Sequence, residues 1–177
     1  KGHFKLSSGL HSSDYLQCAL YLANPVRAER AGQELANAIT TAMVTPDAIV
    51  APALGGIIIG HETARAFKAP FLFTERVDGV MALRRGFGVG PKQAIVVVED
   101  VVTTGGSTKE VIELIESLGG CVIGVASVVN RSGVDNPFEP RPYAALLKVS
   151  FPTWKPNQCP LCRQGKPLHK PGSRTVK

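Results

Sequence analysis

Ala94-Ile95-Val96-Val97-Val98 is apolar at every position and runs straight into two carboxylates, Glu99 and Asp100. A strand wetted on one face alternates apolar with polar residues, so a strand without alternation has to be covered on both faces. Residues 48–51, 70–73 and 121–129 are similar runs, and 143–149 predicts a further strand. Helical signals lie between them. Asn24 reads as a cap and Pro25 as a first helical position, ahead of a helix over 28–43. Gly55-Gly56 turns into a second helix through about Phe67. Over 107–118, Val111, Ile112, Leu114, Ile115 and Leu118 share one helical face. Strands alternating with helices predict an α/β fold, a central parallel sheet flanked by helices.

Ligands of such sheets bind beyond the carboxyl ends of the strands. Segments 52–56, 74–76, 99–107 and 130–133 fall there. Residues 79–91, rich in Gly and Arg, are expected to form a mobile excursion with few core residues. Beyond Phe151 the Pro- and Lys-rich chain reads as coil.

The 177 residues suit one domain, and a charged share of 19% argues against disorder. The net charge of +6 would suit nucleic acid, an anionic membrane or a polyanionic small molecule, and does not choose among them. Apolar runs are too short to span a bilayer, and no signal peptide is evident, so the chain is expected in the cytoplasm. It opens at Lys1 and not Met, which leaves room for a preceding segment. Cys121 opens an apolar stretch and is expected to be buried. Cys159 and Cys162 form a CxxC. A structural zinc site wants a second such pair, or two histidines at fixed spacing, and only His169 follows. No metal ligands are therefore assigned, and the pair reads as reduced thiols.

Thr103-Thr104-Gly105-Gly106-Ser107 lies between a strand and a helix. Glycines let the backbone approach a ligand closely, and the amides of a helix start attract anions. The hydroxyls add donors, so the loop suits a phosphate monoester; a plain strand-helix turn would also use these residues. Glu99 and Asp100 would repel a phosphate. They suit a neighbour that donates hydrogen bonds, such as the diol of a ribose whose 5-phosphate sits in the loop. A metal pair or a solvated strand end would also use two acids. The absence of a Walker lysine argues against an NTPase, and the absence of GxGxxG against a dinucleotide fold.

"IVVVEDVVTTGGST" resembles the phosphoribosyl-pyrophosphate signature of type I phosphoribosyltransferases, and "APALGGIIIG" the loop that cradles pyrophosphate in that family. "GHFKLSSGLHSSDYLQ" and "ERVDGVMALRRGF" resemble segments of the orotate phosphoribosyltransferases. "VVNRSG" and "CPLCRQGKPLHKPGSR" are similar to their shorter bacterial and archaeal form. The resemblance spans His3 to about Arg174.

It implies the type I phosphoribosyltransferase fold over residues 1–177, with a core of about 24–150 and a small hood from 1–23 and 151–177. It implies transfer of a phosphoribosyl group from phosphoribosyl pyrophosphate to orotate, with magnesium held mainly through the substrate. The partners implied are these substrates and a second copy of the chain sharing the active sites, with no nucleic acid and no membrane. Glu99, Asp100 and Arg76 would be catalytic. Leu54, Gly55, Arg76, Glu99, Asp100, Val101, Val102, Thr103, Thr104, Gly105, Gly106 and Ser107 would bind phosphoribosyl pyrophosphate. Thr103, Arg131 and Tyr15 would bind orotate, with Leu16 beside Tyr15; Arg131 alone would pass for a surface ion-pair residue.

Arg84 and Arg85 would bring charge to the pyrophosphate, or simply be solvated. Longer relatives carry lysines where Ser7 and Gly55 stand here, the family often has a lysine where Val77 stands, and relatives usually have a helix ahead of the Gly2-His3-Phe4 segment. The alternatives are a transferase for purine or other bases, and a regulator that senses phosphoribosyl pyrophosphate. A transferase for oxopurines would be expected to carry a lysine and a stacking aromatic near Arg131, and a regulator a DNA-binding module.

Overall fold

The computed structural model describes residues 1–6, 9–42 and 45–170, so the expectations at Ser7, Met43 and Arg174 fall outside the described residues. In chain order the elements are β1 (Phe4–Lys5), β2 (His11–Ser12), α1 (Cys18–Leu22), α2 (Pro25–Ala42), β3 (Ala48–Pro52), α3 (Gly56–Phe67), β4 (Phe71–Val77), β5 (Val80–Leu83), β6 (Ala94–Val102), α4 (Gly106–Ser117), β7 (Cys121–Asn130), β8 (Tyr143–Lys148), β9 (Thr153–Trp154) and α5 (Pro160–Arg163), with a 3-10 turn at Pro156–Gln158. They fall into two compact units. One is Cys18–Val149; the other combines the described parts of Lys1–Gln17 and Ser150–Lys177.

The larger unit is a six-stranded sheet in the order β5-β4-β3-β6-β7-β8. β4, β3, β6, β7 and β8 run parallel, and β5 lies antiparallel on the β4 edge. The apolar runs make this sheet because both faces are covered. Ile95 and Val97 pack with Val111, Ile112 and Ile115 of α4. Val96 and Val98, equally buried, point to the opposite face by the alternation of a strand. There α2 packs on α3, burying Leu35, Ile39 and Ile59. Each such side chain taken from water contributes about 1.5–3 kcal/mol. Asn24 caps α2 as expected, its Oδ1 accepting from the Arg27 amide at 3.1 Å.

Several expectations are corrected. Residues 79–91 do not form a loose excursion. Val80–Leu83 pairs with Thr74–Val77, Met81 is buried, and Phe87 and Val89 pack against the core. Alternation within this short segment is the period of an edge strand. β6 does not stop at Val98 but runs through both acids to Val102, paired with β7 to Asn130. Cys121 is exposed, because it sits at the first position of β7. Leu118 lies past the end of α4 and is exposed.

In the chain-end unit, β2 pairs antiparallel with both β1 and β9. The chain beyond Phe151 is therefore not plain coil. Trp154 pairs with His11, a partner no local reading of the tail can see, and Pro160 starts α5.

Candidate active site

From β3 the chain goes to β4 on one side of the sheet, and β6, β7 and β8 follow on the other. The strand order thus reverses between β3 and β6. A crevice opens beyond the carboxyl ends of strands at such a reversal, and ligands bind there. The turn 53–55 after β3 and the loop 103–105 after β6 are the two lips of this crevice.

The first lip holds Leu54, 81% exposed, and Gly55. The Ala53 amide donates to the Thr74 carbonyl at 2.7 Å, and the Ala53–Leu54 peptide is cis. Gly55 lies so close to β6 that a Cβ there would stand 2.8 Å from Asp100 Oδ1 and 2.9 Å from Oδ2. The Thr74 hydroxyl beside this lip is buried, and no partner for it stands among the described residues.

Asp100 is half-buried and Glu99 buried. Each carboxylate is held by the next backbone amide: Asp100 N–H donates to Glu99 Oε1 at 3.1 Å, and Val101 N–H to Asp100 Oδ1 at 2.8 Å. Cys18, at the start of α1, donates weakly to the Asp100 carbonyl at 3.9 Å. Burial, then the charges of Asp100 and Glu99, push its thiol up to about 12. The paired acids therefore hold a negative field over this part of the crevice.

The second lip follows directly. Val102 is buried and Val101 half-buried, so both offer backbone more than side chain. Thr103 and Thr104 are exposed. Gly105 takes a φ of 74°, and a Cβ there would meet Phe138 at 2.9 Å, so glycine is needed for both reasons. α4 starts at Gly106, with Ser107 in its first turn, and its leading amides face this loop. The Gly106 amide donates to Thr104 Oγ1 at 3.4 Å, a long bond.

Arg131 is joined to the same lip through its backbone, its amide donating to the Val102 carbonyl at 2.7 Å. Its turn is organised by Asn130, a residue to which the sequence assigned no role. Asn130 is buried, donates from Nδ2 to the Val134 carbonyl at 2.9 Å and accepts from the Ser132 amide at 2.9 Å. An Asn at a strand end before Ser and Gly is the local signal that could have marked it.

Arg76 extends from β4 and pairs with Glu110 of α4 at 2.7 Å, and it donates to the Gly79 carbonyl at 2.7 Å. The hydrogen bond to Glu110 raises the guanidinium's pKa further. Glu110 has no signal of its own in the sequence. Arg84 and Arg85 do not join Arg76; both sit by Glu75, at 4.0 and 2.9 Å, and Arg85 lies over the Phe73 ring. Tyr15 belongs to the chain-end unit, where its hydroxyl donates to Gln17 Oε1 at 3.0 Å and its ring lies 5.7 Å from that of Phe4. Leu16 beside it is half-buried. The larger unit thus gathers two carboxylates, a glycine-threonine loop at a helix start and an arginine turn at adjacent strand ends. Such a set can hold a phosphate next to a polyhydroxylated group and pair a second anion.

Residues 21–141 match the family model described as phosphoribosyl transferase domain. The chain is 52% identical to an orotate phosphoribosyltransferase of Carboxydothermus hydrogenoformans over 98% of this chain and 91% of that protein. It is 50% identical to an orotate phosphoribosyltransferase of Thermotoga maritima over 100% of this chain and 93% of that protein. In fold it is similar to the crystal structure of orotate phosphoribosyltransferase from Aeropyrum pernix, with a TM-score of 0.72 at 23% identity over 84% of this chain and 86% of that one.

Proposed function

The chain belongs to the phosphoribosyltransferase family, and from that premise we propose that it transfers the phosphoribosyl group of phosphoribosyl pyrophosphate to orotate, yielding orotidine 5-monophosphate and pyrophosphate in pyrimidine biosynthesis. The observation that carries this reading is the meeting of Glu99 and Asp100 with the 103–107 loop at the reversal point of the sheet.

The phosphate of the substrate sits among the amides and hydroxyls of Thr103, Thr104, Gly105, Gly106 and Ser107. Glu99 and Asp100 take the ribose diol. As the bond from the anomeric carbon to pyrophosphate breaks and the bond to the orotate ring nitrogen forms, positive charge grows on the ribose. Two carboxylates fixed by backbone amides favour that charge without reorganising. The ring nitrogen of orotate can already carry negative charge, so the chain needs no strong base and works by positioning. Arg131 pairs the orotate carboxylate, with Thr103 as a further contact. Leu54 and Gly55 face the pyrophosphate, and Arg76 supplies its positive charge.

Magnesium prefers oxygen donors and keeps much of its shell from water and substrate phosphates. The carboxylates of Glu99 and Asp100 at the crevice fit that preference; magnesium, held mainly through the substrate, would supply charge neutralisation at the pyrophosphate. The working form in this reading is a cytoplasmic homodimer with shared sites and no nucleic acid or membrane partner. No helix among the described residues is long and apolar enough to cross a membrane.

The test follows orotate consumption with and without phosphoribosyl pyrophosphate, beside uracil, adenine and hypoxanthine. Consumption of orotate alone supports the proposal, and turnover of a purine in its place overturns it.

A further inference from the structure

The chain-end unit has almost no apolar interior. Among its described residues only His3, His11, Ser12 and Cys159 are buried, and none is a large aliphatic residue or a Phe, Tyr or Trp. Units this small rarely hold together by hydrophobic burial and commonly add disulfides or a metal.

Its centre contains four side chains of the two kinds that most often ligate zinc, histidine and cysteine. One nitrogen each from His3 and His11 and the sulfurs of Cys159 and Cys162 all lie within 4.8 Å of one another. His3 Nε2 stands 3.1 Å from His11 Nδ1, 3.5 Å from Cys159 Sγ and 3.7 Å from Cys162 Sγ. Cys162 Sγ is 3.2 Å from His11 Nδ1. Ordinary zinc–nitrogen and zinc–sulfur bonds in a tetrahedron put nitrogens about 3.3 Å apart and nitrogen about 3.6 Å from sulfur. The cluster already has close to those edges. We propose that His3, His11, Cys159 and Cys162 bind a structural zinc ion that clips the two ends of the chain together.

Three further observations agree. The other nitrogen of His3, Nδ1, is 2.9 Å from the Lys166 carbonyl, which can only accept. Nδ1 therefore carries the proton, and the lone pair of Nε2 is turned to the cluster, the outer-shell arrangement usual for a metal-bound histidine. Cys159 precedes α5 and Cys162 lies within it, so both sulfurs come from one turn. His11 is fixed between Lys5 and Trp154 by strand pairing, so its ring is presented by a rigid element. Two thiolates also balance the charge of a zinc ion, so a centre with three buried ligands and the exposed Cys162 needs no counter-ion. The cysteine spacing alone could not reveal this site, because its histidines come from the opposite end of the chain and not from His169. Cys159 and His3 are 156 positions apart.

The test uses the untagged full-length protein, made with zinc in the medium and purified without chelator. Elemental analysis should find about one zinc per chain, as a closed four-ligand site requires. Cobalt put in its place should give a tetrahedral spectrum with thiolate charge-transfer absorption. Cys159→Ser with Cys162→Ser, and separately His11→Ala, should reduce bound zinc at least about tenfold, while Cys121→Ser leaves it unchanged. Should the cysteine variant fail to fold, the wild-type chain still decides through its zinc content and cobalt spectrum. The proposal is overturned by wild-type protein that takes up neither metal, by a cobalt spectrum without thiolate absorption, or by a Cys159–Cys162 disulfide in freshly purified protein. Zinc retained by a folded double-cysteine variant overturns it as well.

Discussion

Gly55 and Asp100 touch across the crevice, and the contact has no room for a side chain: a Cβ on Gly55 would stand under 3.0 Å from both carboxylate oxygens. Asp100 cannot easily yield, because Val101 N–H holds its Oδ1 at 2.8 Å. The lip after β3 therefore sets where the carboxylate on β6 points.

Gly55→Ala should accordingly damage turnover more than stability. Overpacking of this kind costs about 1–3 kcal/mol, here taken from the placement of one catalytic group. The expected result is a fall in kcat of roughly 5- to 150-fold with little change in Tm. Asp100→Asn should lower kcat by the equivalent of about 2–4 kcal/mol, the worth of a preorganised electrostatic contact. The two effects should not add, since both act through one carboxylate. A Gly55→Ala chain with full activity, or full additivity in the double variant, rejects the link. Gly55→Lys, which copies the longer relatives, should fare no better than Gly55→Ala.

Arg131 and Asn130 divide a second task. Arg131→Ala should raise the KM for orotate roughly 10- to 150-fold, the worth of about 1.5–3 kcal/mol for a charge-assisted pair, with a small effect on phosphoribosyl pyrophosphate. Asn130→Ala removes the bonds that shape the turn carrying Arg131. It should shift the same KM and also lower Tm, because the buried Asn130 side chain no longer ties the turn together through its bonds to Ser132 and Val134. Steady-state kinetics on both substrates separates base recognition from general damage, which would weaken both alike.

The parts legible in the sequence were those whose signal is local. Apolar runs such as 94–98 gave the buried strands, and Gly105 with its threonines gave the loop, because burial on two faces and positive φ each leave a mark on adjacent residues. What escaped depends on partners far along the chain. The edge strand β5 resembles a loose Arg-rich segment in sequence because the apolar run of its partner, β4, ends at Phe73 although the strand continues to Val77. The Glu110 carboxylate that holds Arg76 lies a full helix away in the fold's order. The cysteine pair was read against its neighbours, while the groups facing it, His3 and His11, stand at the opposite terminus.

Cys18 offers a test of the field around the acids. Its thiol is pushed up to about 12 by burial and by Asp100 and Glu99, so it stays protonated through neutral pH and should resist alkylation. Exposed Cys121 should react before it. The sign for stability follows. The neutral thiol is the form the fold accommodates, so its contribution is complete below the ordinary thiol pKa and is lost as pH rises toward about 12. Asp100→Asn removes one of the charges opposing the thiolate and should speed Cys18 labelling at alkaline pH relative to wild type. Peptide mapping after timed alkylation reads both outcomes, and rapid neutral labelling of Cys18 in the native chain contradicts the field.

The sharing of sites between subunits can be tested through Arg76. In one chain its guanidinium is satisfied by Glu110 and the Gly79 carbonyl, at 37% side-chain exposure, so it is anchored yet still reaches solvent. An exposed ion pair of this kind is worth little, about 0–1 kcal/mol, and a polyanion arriving from a neighbouring subunit can outcompete it. If Arg76 serves the partner's site, Arg76→Ala and Asp100→Asn chains, each nearly inactive alone, should complement when mixed. A mixed dimer then has one site with both lesions and one site with neither, so random exchange should restore up to about a quarter of wild-type activity, since half the dimers are mixed and each has one good site. If Arg76 serves its own site, every site in a mixed dimer keeps one lesion and no activity returns. Subunit exchange is verified by native mass spectrometry of differently labelled chains. Verified exchange without recovery assigns Arg76 to the site of its own chain, with Glu110 as the group that positions it.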